Sequence, residues 1–376
     1  MQYQEYITER NRLFDEALIE NPVSNNELFN RTVNFVSANL ANFIPEMDLT
    51  EHEPLFRQIL LYQKLSRLDA EYPNIYDSVS MENLSDDLLT MLKSRPSIIC
   101  SFHFGSIRLI NYFLANNFIK FSLVISDSAL EDYKGLYKNI YKQYEAYPGD
   151  DGFNIISAQS PNSGLQMLRE LKKGHSLLLY IDGNSGAGND SIKNENRVKI
   201  DFLAETIYAR KGIGYISHLA NVPIVVAANY RKSVDDIRIK FFDPIFPDQE
   251  LDRETYANQA TQKIYSIFSD LLIKYPHQWE AWLYLHTVIK PAEFKEVPFI
   301  NPATIDSTRL IFNKKRFGLF NIGNDLFLFN KRTYGSYKLD VMLYGLLTVA
   351  SQQPVNRDEF SETIAEQLVA NGVLIS

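Results

Sequence analysis

The chain has 376 residues, 45% of them apolar and 22% charged, the balance of a globular protein with a sizeable core and room for more than one domain. A net charge of −8 argues against a general nucleic-acid binder, which needs a cationic face to displace counterions. The single cysteine, Cys100, excludes internal disulfides and fits a reducing cytosol, and the six histidines are too scattered to point to zinc.

Residues 1 to 95 read as a helical region. Apolar residues recur at helical spacing at Leu13, Phe14, Ala17 and Leu18, and again at Leu55, Ile59, Leu60, Tyr62 and Leu65, while Pro22, Pro45 and Pro73 break the region into short helices. The opening Met1-Gln2-Tyr3-Gln4-Glu5-Tyr6 is polar and acidic, unlike a signal peptide. No run reaches the roughly 18–20 uninterrupted apolar residues that span a bilayer. A soluble, cytoplasmic chain is therefore expected, with peripheral contact to the inner membrane left open.

From 96 to 296 strands and helices alternate. The pattern predicts strands at 97–102, 121–126, 153–157, 176–181, 223–229 and 236–242, and helices at 106–116, 130–144, 162–173, 206–220 and 254–274. This is an α/β fold with an open, mixed but largely parallel sheet flanked by helices. Residues 297 to 376 form a third region. Strands at 309–312, 317–322 and 326–329 precede helices near 340–351 and 357–371, which gives a small β-hairpin plus helix domain. Between 308 and 340 lie Arg309, Lys314, Lys315, Arg316, Lys331, Arg332 and Lys338 against Asp325 and Asp340, a basic face on an acidic chain.

The chemistry-bearing stretch is Ser97-Ile98-Ile99-Cys100-Ser101-Phe102-His103-Phe104-Gly105-Ser106-Ile107-Arg108. A buried strand ends on a histidine, Gly105 permits a sharp bend, and a helix follows. A catalytic imidazole at the carboxyl edge of a sheet fits this pattern, as does a strand-end histidine bonded to backbone. Cys100 within the strand reads as a small buried hydrophobe. The turn-rich Gly183-Asn184-Ser185-Gly186-Ala187-Gly188-Asn189-Asp190 lacks the Gly-Lys-Ser/Thr ending and the following helix of a nucleotide loop, and reads as the rim of a cleft, with Lys193, Arg197 and Lys199 available to phosphates.

Residues 98 to about 290 resemble the bacterial lipid A acyltransferases of the lysophospholipid acyltransferase superfamily. The resemblance is carried by the strand and His103-Phe104-Gly105, then by Leu171-Lys172-Lys173-Gly174-His175-Ser176 running into the strand that ends at Asp182-Gly183. Phe202, Gly212, Leu219 to Val226 and Arg231 follow in order, and Pro276-His277-Gln278-Trp279-Glu280-Ala281-Trp282 with His286 closes the match. It implies an acyltransferase in which His103 is the general base. The acidic residue that the family places five positions after the histidine is Arg108 here. A guanidinium cannot accept the imidazole proton. Asp182 is then the leading substitute as orienter and Asp127 the second, with Arg108 recast as an anion contact or catalysis lost.

On this reading Phe104, Gly105, Asn184, Arg197, Gln278 and Trp279 contact substrate or wall the cleft, with backbone amides near Gly105 offered to an oxyanion. No cofactor is bound tightly and no metal is used; acyl-CoA or acyl carrier protein serves as the donor. The C-terminal module faintly resembles leader-peptide recognition domains of peptide modification pathways, which makes a peptide or an acyl carrier protein its candidate partner. The alternative function is a catalytically degenerate acyl- or peptide-binding protein of the same fold.

Overall fold

A computed structural model describes residues 3–18, 27–132, 137, 142, 152–183, 195–295 and 308–376. The chain divides into two compact units, the first comprising Met1–Ile19, Arg57–Phe202 and Ile207–Ala281, and the second Glu20–Phe56, Leu203–Thr206 and Trp282–Ser376. The N-terminal region is helical as the apolar spacing requires: α1 (Tyr3–Leu18), α2 (Glu27–Phe43), α3 (Leu49–Glu71) and α4 (Asp86–Ser94). Among the described residues, no helix is long and apolar enough to cross a membrane.

The first unit is built on a seven-stranded sheet of β1 (Ser80–Glu82), β2 (Ile98–Ser101), β3 (Phe121–Ile125), β4 (Phe153–Ser157), β5 (Ser176–Tyr180), β8 (Ile224–Arg231) and β9 (Ile237–Phe241), ordered β1-β9-β8-β2-β5-β3-β4. Only β8 and β9 pair antiparallel; the other five pairs are parallel. Every residue of β2 and of β8 is buried, the mark of interior strands covered on both faces. The carboxyl ends of β2, β5 and β8 therefore share one edge. Helices α5 (Leu109–Asn116), α6 (Asp127–Asp132), α7 (Ser163–Lys172), α8 (Gly212–Ala220) and α9 (Arg253–Lys274) belong to the same unit. The predicted helix 130–144 runs largely outside the described residues.

The predicted helix 206–220 is corrected. Its first part is a strand, β7 (Glu205–Arg210), in a two-stranded sheet with β6 (Arg197–Phe202), and only 212–220 is helical. In β7, Glu205, Ile207 and Ala209 are buried while Thr206, Tyr208 and Arg210 are half-buried, the period of two that a strand imposes. The turn between the strands carries Leu203 at φ 54°, a left-handed position without the usual glycine or asparagine, so no turn signal announced it.

A buried ion pair braces the edge. Arg231 at the end of β8 donates from Nη2 to both oxygens of Asp69 on α3, at 2.7 and 2.6 Å, and both side chains are 1% exposed. Tyr6 of α1 donates its hydroxyl to Asp69 at 2.8 Å, and Ser106, just past Gly105, donates to the other oxygen. Burial, reinforced by the Asp69 charge, pushes the Tyr6 hydroxyl pKa up to about 12. The helical region thus reaches the turn that carries the histidine. Breaking a buried pair by removing one partner strands the other's charge, so Arg231→Leu is expected to lower the urea-unfolding free energy, followed by far-UV circular dichroism, by about 3–5 kcal/mol. A loss under about 1 kcal/mol, the value of a surface pair, would contradict this role.

The second unit contains two three-stranded sheets. One is β14-β10-β15, from β10 (Arg309–Phe312), β14 (Val355–Asn356) and β15 (Leu374–Ile375), and the other is β11-β12-β13, from β11 (Phe317–Ile322), β12 (Asp325–Asn330) and β13 (Ser336–Leu339). The three predicted strands are present but do not form one sheet, and β13 was not foreseen. Helices α10 (Val341–Gln352) and α11 (Glu362–Ala370) follow. The seven cations do not make one basic face: Lys331 is buried, Arg332 pairs with Glu205 at 2.7 Å, and Lys338 pairs with Asp325 at 2.7 Å.

Candidate active site

Ser101 of β2 lies opposite Tyr180 of β5 in the parallel register, so the residues two positions further along each chain, His103 and Asp182, emerge side by side. The imidazole Nδ1 stands 2.7 Å from Asp182 Oδ1, and the His103 amide donates to both carboxylate oxygens at 3.0 and 2.9 Å. Trp279 donates its indole N–H to Oδ2 at 2.7 Å. The Asp182 side chain is 2% exposed and accepts from three donor groups, which is what a buried carboxylate needs. The His103 side chain keeps 21% exposure, so one side of the ring remains open.

Burial alone would lower the His103 pKa. The Asp182 charge and hydrogen bond, helped by Glu280, outweigh burial and the opposing charge of Arg108, and the net direction is upward.

Gly105 makes the bend that turns the chain from β2 toward α5. Its φ is +59°, and a Cβ there would lie 2.7 Å from the carbonyl oxygen of Asn229, so any side chain is both strained and obstructed. The Gly105 amide donates to the Gln278 carbonyl at 3.0 Å, and the Glu280 amide donates to the His103 carbonyl at 2.9 Å. The Gly105 amide itself is therefore committed to the fold rather than offered to an oxyanion.

Next to the imidazole lies a cavity of about 400 Å³. Its walls include Val124, Met167, Leu179, Ile213 and Ile216, with Arg197 and Arg210 among its polar lining. Tyr180 and Gly183 also line it and connect it to the histidine: the Tyr180 and His103 ring centroids are 5.3 Å apart, and a Cβ on Gly183 would lie 3.4 Å from His103 Cε1.

The residues singled out by sequence fall into distinct places. Arg197 lines the cavity while its guanidinium donates to the Tyr208 carbonyl at 2.9 Å. Arg108 is 5% exposed, with its guanidinium carbon 5.2 Å from the centre of the Tyr180 ring. Phe104 is fully buried against Phe268 and does not line the cavity. Gln278, also buried, clamps the Arg231 backbone, accepting from its amide at 2.8 Å and donating to its carbonyl at 2.7 Å. Asn184, with the turn-rich rim and Lys193, lies outside the described residues. Asp127, the second candidate orienter, is exposed at the start of α6 and bonds its amide to Gln159. Sequence reasoning missed Asp69 and the cavity-lining role of Tyr180. An acid one turn after Leu65 on an apolar helical stripe was the available signal for Asp69.

No protein-family model matches the chain, and no curated protein matches it significantly.

Because the His103 pKa is raised on folding, the ion pair's contribution to stability is complete below the ordinary value of 6.5 and fades as pH rises through the raised value. Proton NMR of the imidazole is expected to show a midpoint above 6.5, and Asp182→Asn is expected to bring it below, since burial and Arg108 then act unopposed except by Glu280. A midpoint unmoved by the substitution would contradict the pairing.

Proposed function

We propose that the chain is an acyltransferase that moves an acyl group from a thioester, acyl-CoA or acyl carrier protein, to a hydroxyl or amine acceptor. The observation that carries this reading is the imidazole held by a buried carboxylate at the carboxyl edge of a parallel sheet, beside an apolar cavity. With Nδ1–H donated to Asp182, Nε2 carries the lone pair and takes the proton of the acceptor as its oxygen or nitrogen attacks the thioester carbon. The new C–O or C–N bond forms, the C–S bond breaks, and the imidazolium returns the proton to the departing thiolate. Asp182 fixes the tautomer and offsets the charge on the ring, the task of the orienting carboxylate in a catalytic triad.

The cavity suits the acyl chain, and Arg197 and Arg210 at its polar side suit phosphates of the donor. Arg108 lies against Tyr180 behind the cavity wall and acts on the histidine by its charge. The C-terminal module, 297–376, is the candidate docking module for a carrier protein or a peptide acceptor. Arg108 also motivates the alternative, an acyl- or peptide-binding protein without turnover, because its charge opposes the imidazolium that transfer requires.

Turnover separates the two. A panel of acyl-CoA and acyl-carrier-protein thioesters with hydroxyl and amine acceptors is expected to give thiol release and acylated product. His103→Ala should slow this by about 10²–10⁴-fold, and Asp182→Asn by a factor approaching about 10⁴. The rate should rise with pH through the raised imidazole pKa, because the base works unprotonated. Saturable acyl-chain binding with no His103-dependent release would instead support the binding protein.

A further inference from the structure

A second cluster of reactive side chains is built entirely from the second unit. Ser37 of α2 has its hydroxyl oxygen 2.8 Å from Nδ1 of His52 on α3, and the same oxygen is 2.9 Å from the amine of Lys331, the residue after β12. Lys331 also donates to the Lys314 carbonyl at 2.8 Å. Ser37, His52 and Lys331 are 5%, 4% and 6% exposed. All three nevertheless line an open cleft of about 270 Å³ whose walls include Val33, Leu49, Phe312, Phe317 and Leu319.

The environment of the amine is unusual for a lysine. Among the described residues its two bonded partners are neutral oxygens, so no ion pair there offsets the loss of water. Burial, aided by the Lys314 charge, brings its pKa down to about 8, which leaves a useful fraction as free amine near neutrality. Burial also holds the His52 imidazole down at about 4, with the Lys331 charge adding to this and the Met47 backbone and Asp48 opposing it. The ring is therefore neutral and too weak a base to take a serine proton. The contact fits either tautomer; with the proton on Nδ1 the ring donates to the Ser37 oxygen and the hydroxyl hydrogen is turned toward the amine.

We propose that Ser37 and Lys331 form a nucleophile–base dyad, independent of His103, that accepts a compact apolar acyl group from an activated ester or thioester. The Ser37 oxygen bonds to the acyl carbon while its proton passes to the neutral Lys331 amine. The bond from carbon to the leaving oxygen or sulfur breaks, and the ammonium returns the proton to that leaving group. Water then adds to the acyl-serine, the ester bond breaks, and a carboxylic acid and the free hydroxyl are released. Five apolar walls around a small cleft favour a short, uncharged acyl group over a long chain.

The full-length protein treated with an alkyl fluorophosphonate tests this by intact mass and peptide mapping. One adduct on Ser37 is expected, retained in His103→Ala and absent in Ser37→Ala. Lys331→Met should slow labelling by about 10²-fold or more, the range for loss of a general base. The wild-type rate should climb as pH passes through about 8, with Lys314 before β11 the charged group acting on the amine, Ser37 from α2 its bonded neighbour, and His52 and Glu53 from α3 lining the same cleft. Absence of a Ser37 adduct on folded wild-type protein at pH 9 overturns the proposal whether or not the variants fold. An adduct confined to other residues, or a rate unchanged in a folded Lys331→Met protein, overturns it equally.

Discussion

A carboxylate taken out of water must be met by donors or it will not stay charged, and Asp182 satisfies this demand with three groups from two other parts of the chain. The His103 amide and imidazole come from the turn after β2, the Trp279 indole from the closing segment, and Asp182 itself from the end of β5. The same bonds that satisfy the carboxylate set the rotation of the imidazole and assign its proton. Orientation of the base therefore follows from burying an acid at this edge. Arg108, at the position where the resemblance called for an acid, leaves this arrangement intact because Asp182 reaches Nδ1 from the end of the neighbouring strand.

The rigidity beneath the site comes from a second buried charge. Arg231 and Asp69 neutralise each other, and Tyr6 and Ser106 complete the carboxylate's partners. Gln278 then grips the Arg231 backbone from the closing segment while its own carbonyl accepts the Gly105 amide. The ends of β2 and β8 are thus tied to the closing segment through buried polar contacts, where such contacts are strongest. The bend at Gly105 is possible only because that residue lacks a Cβ, since the β8 backbone passes within contact of it.

Much of this was readable in advance because the information was local. Fully buried parallel strands leave continuous apolar runs, which is why Ile98–Ser101, Ser176–Tyr180 and Ile224–Arg231 stood out, and a shared edge then brings His103 and Asp182 together. What escaped was set by tertiary contact. The β6–β7 hairpin turns on Leu203 in a left-handed conformation that its sequence does not advertise. β13 is four residues long and mostly exposed, so it had no apolar alternation to reveal it. Asp69 looked like one more helical acid until Arg231, 162 positions away, arrived beside it. Phe104 reads as a site residue by adjacency, yet strand alternation sends it into the core. The basic stretch from 309 to 338 is dispersed by partners such as Glu205 that lie far away in sequence.

The tautomer of neutral His103 is the most direct measurement of the central claim, that Asp182 fixes the imidazole with Nε2 as the bare, reactive nitrogen. Nitrogen-15 NMR of imidazole-labelled protein, recorded above the titration midpoint, distinguishes the two ring nitrogens. The expected spectrum has Nδ1 protonated and hydrogen-bonded, Nε2 unprotonated, and a strongly downfield Nδ1 proton that disappears in Asp182→Asn. A neutral ring protonated mainly at Nε2 would contradict it, because Asp182 would then hold no proton on Nδ1 and the base would face away from any acceptor.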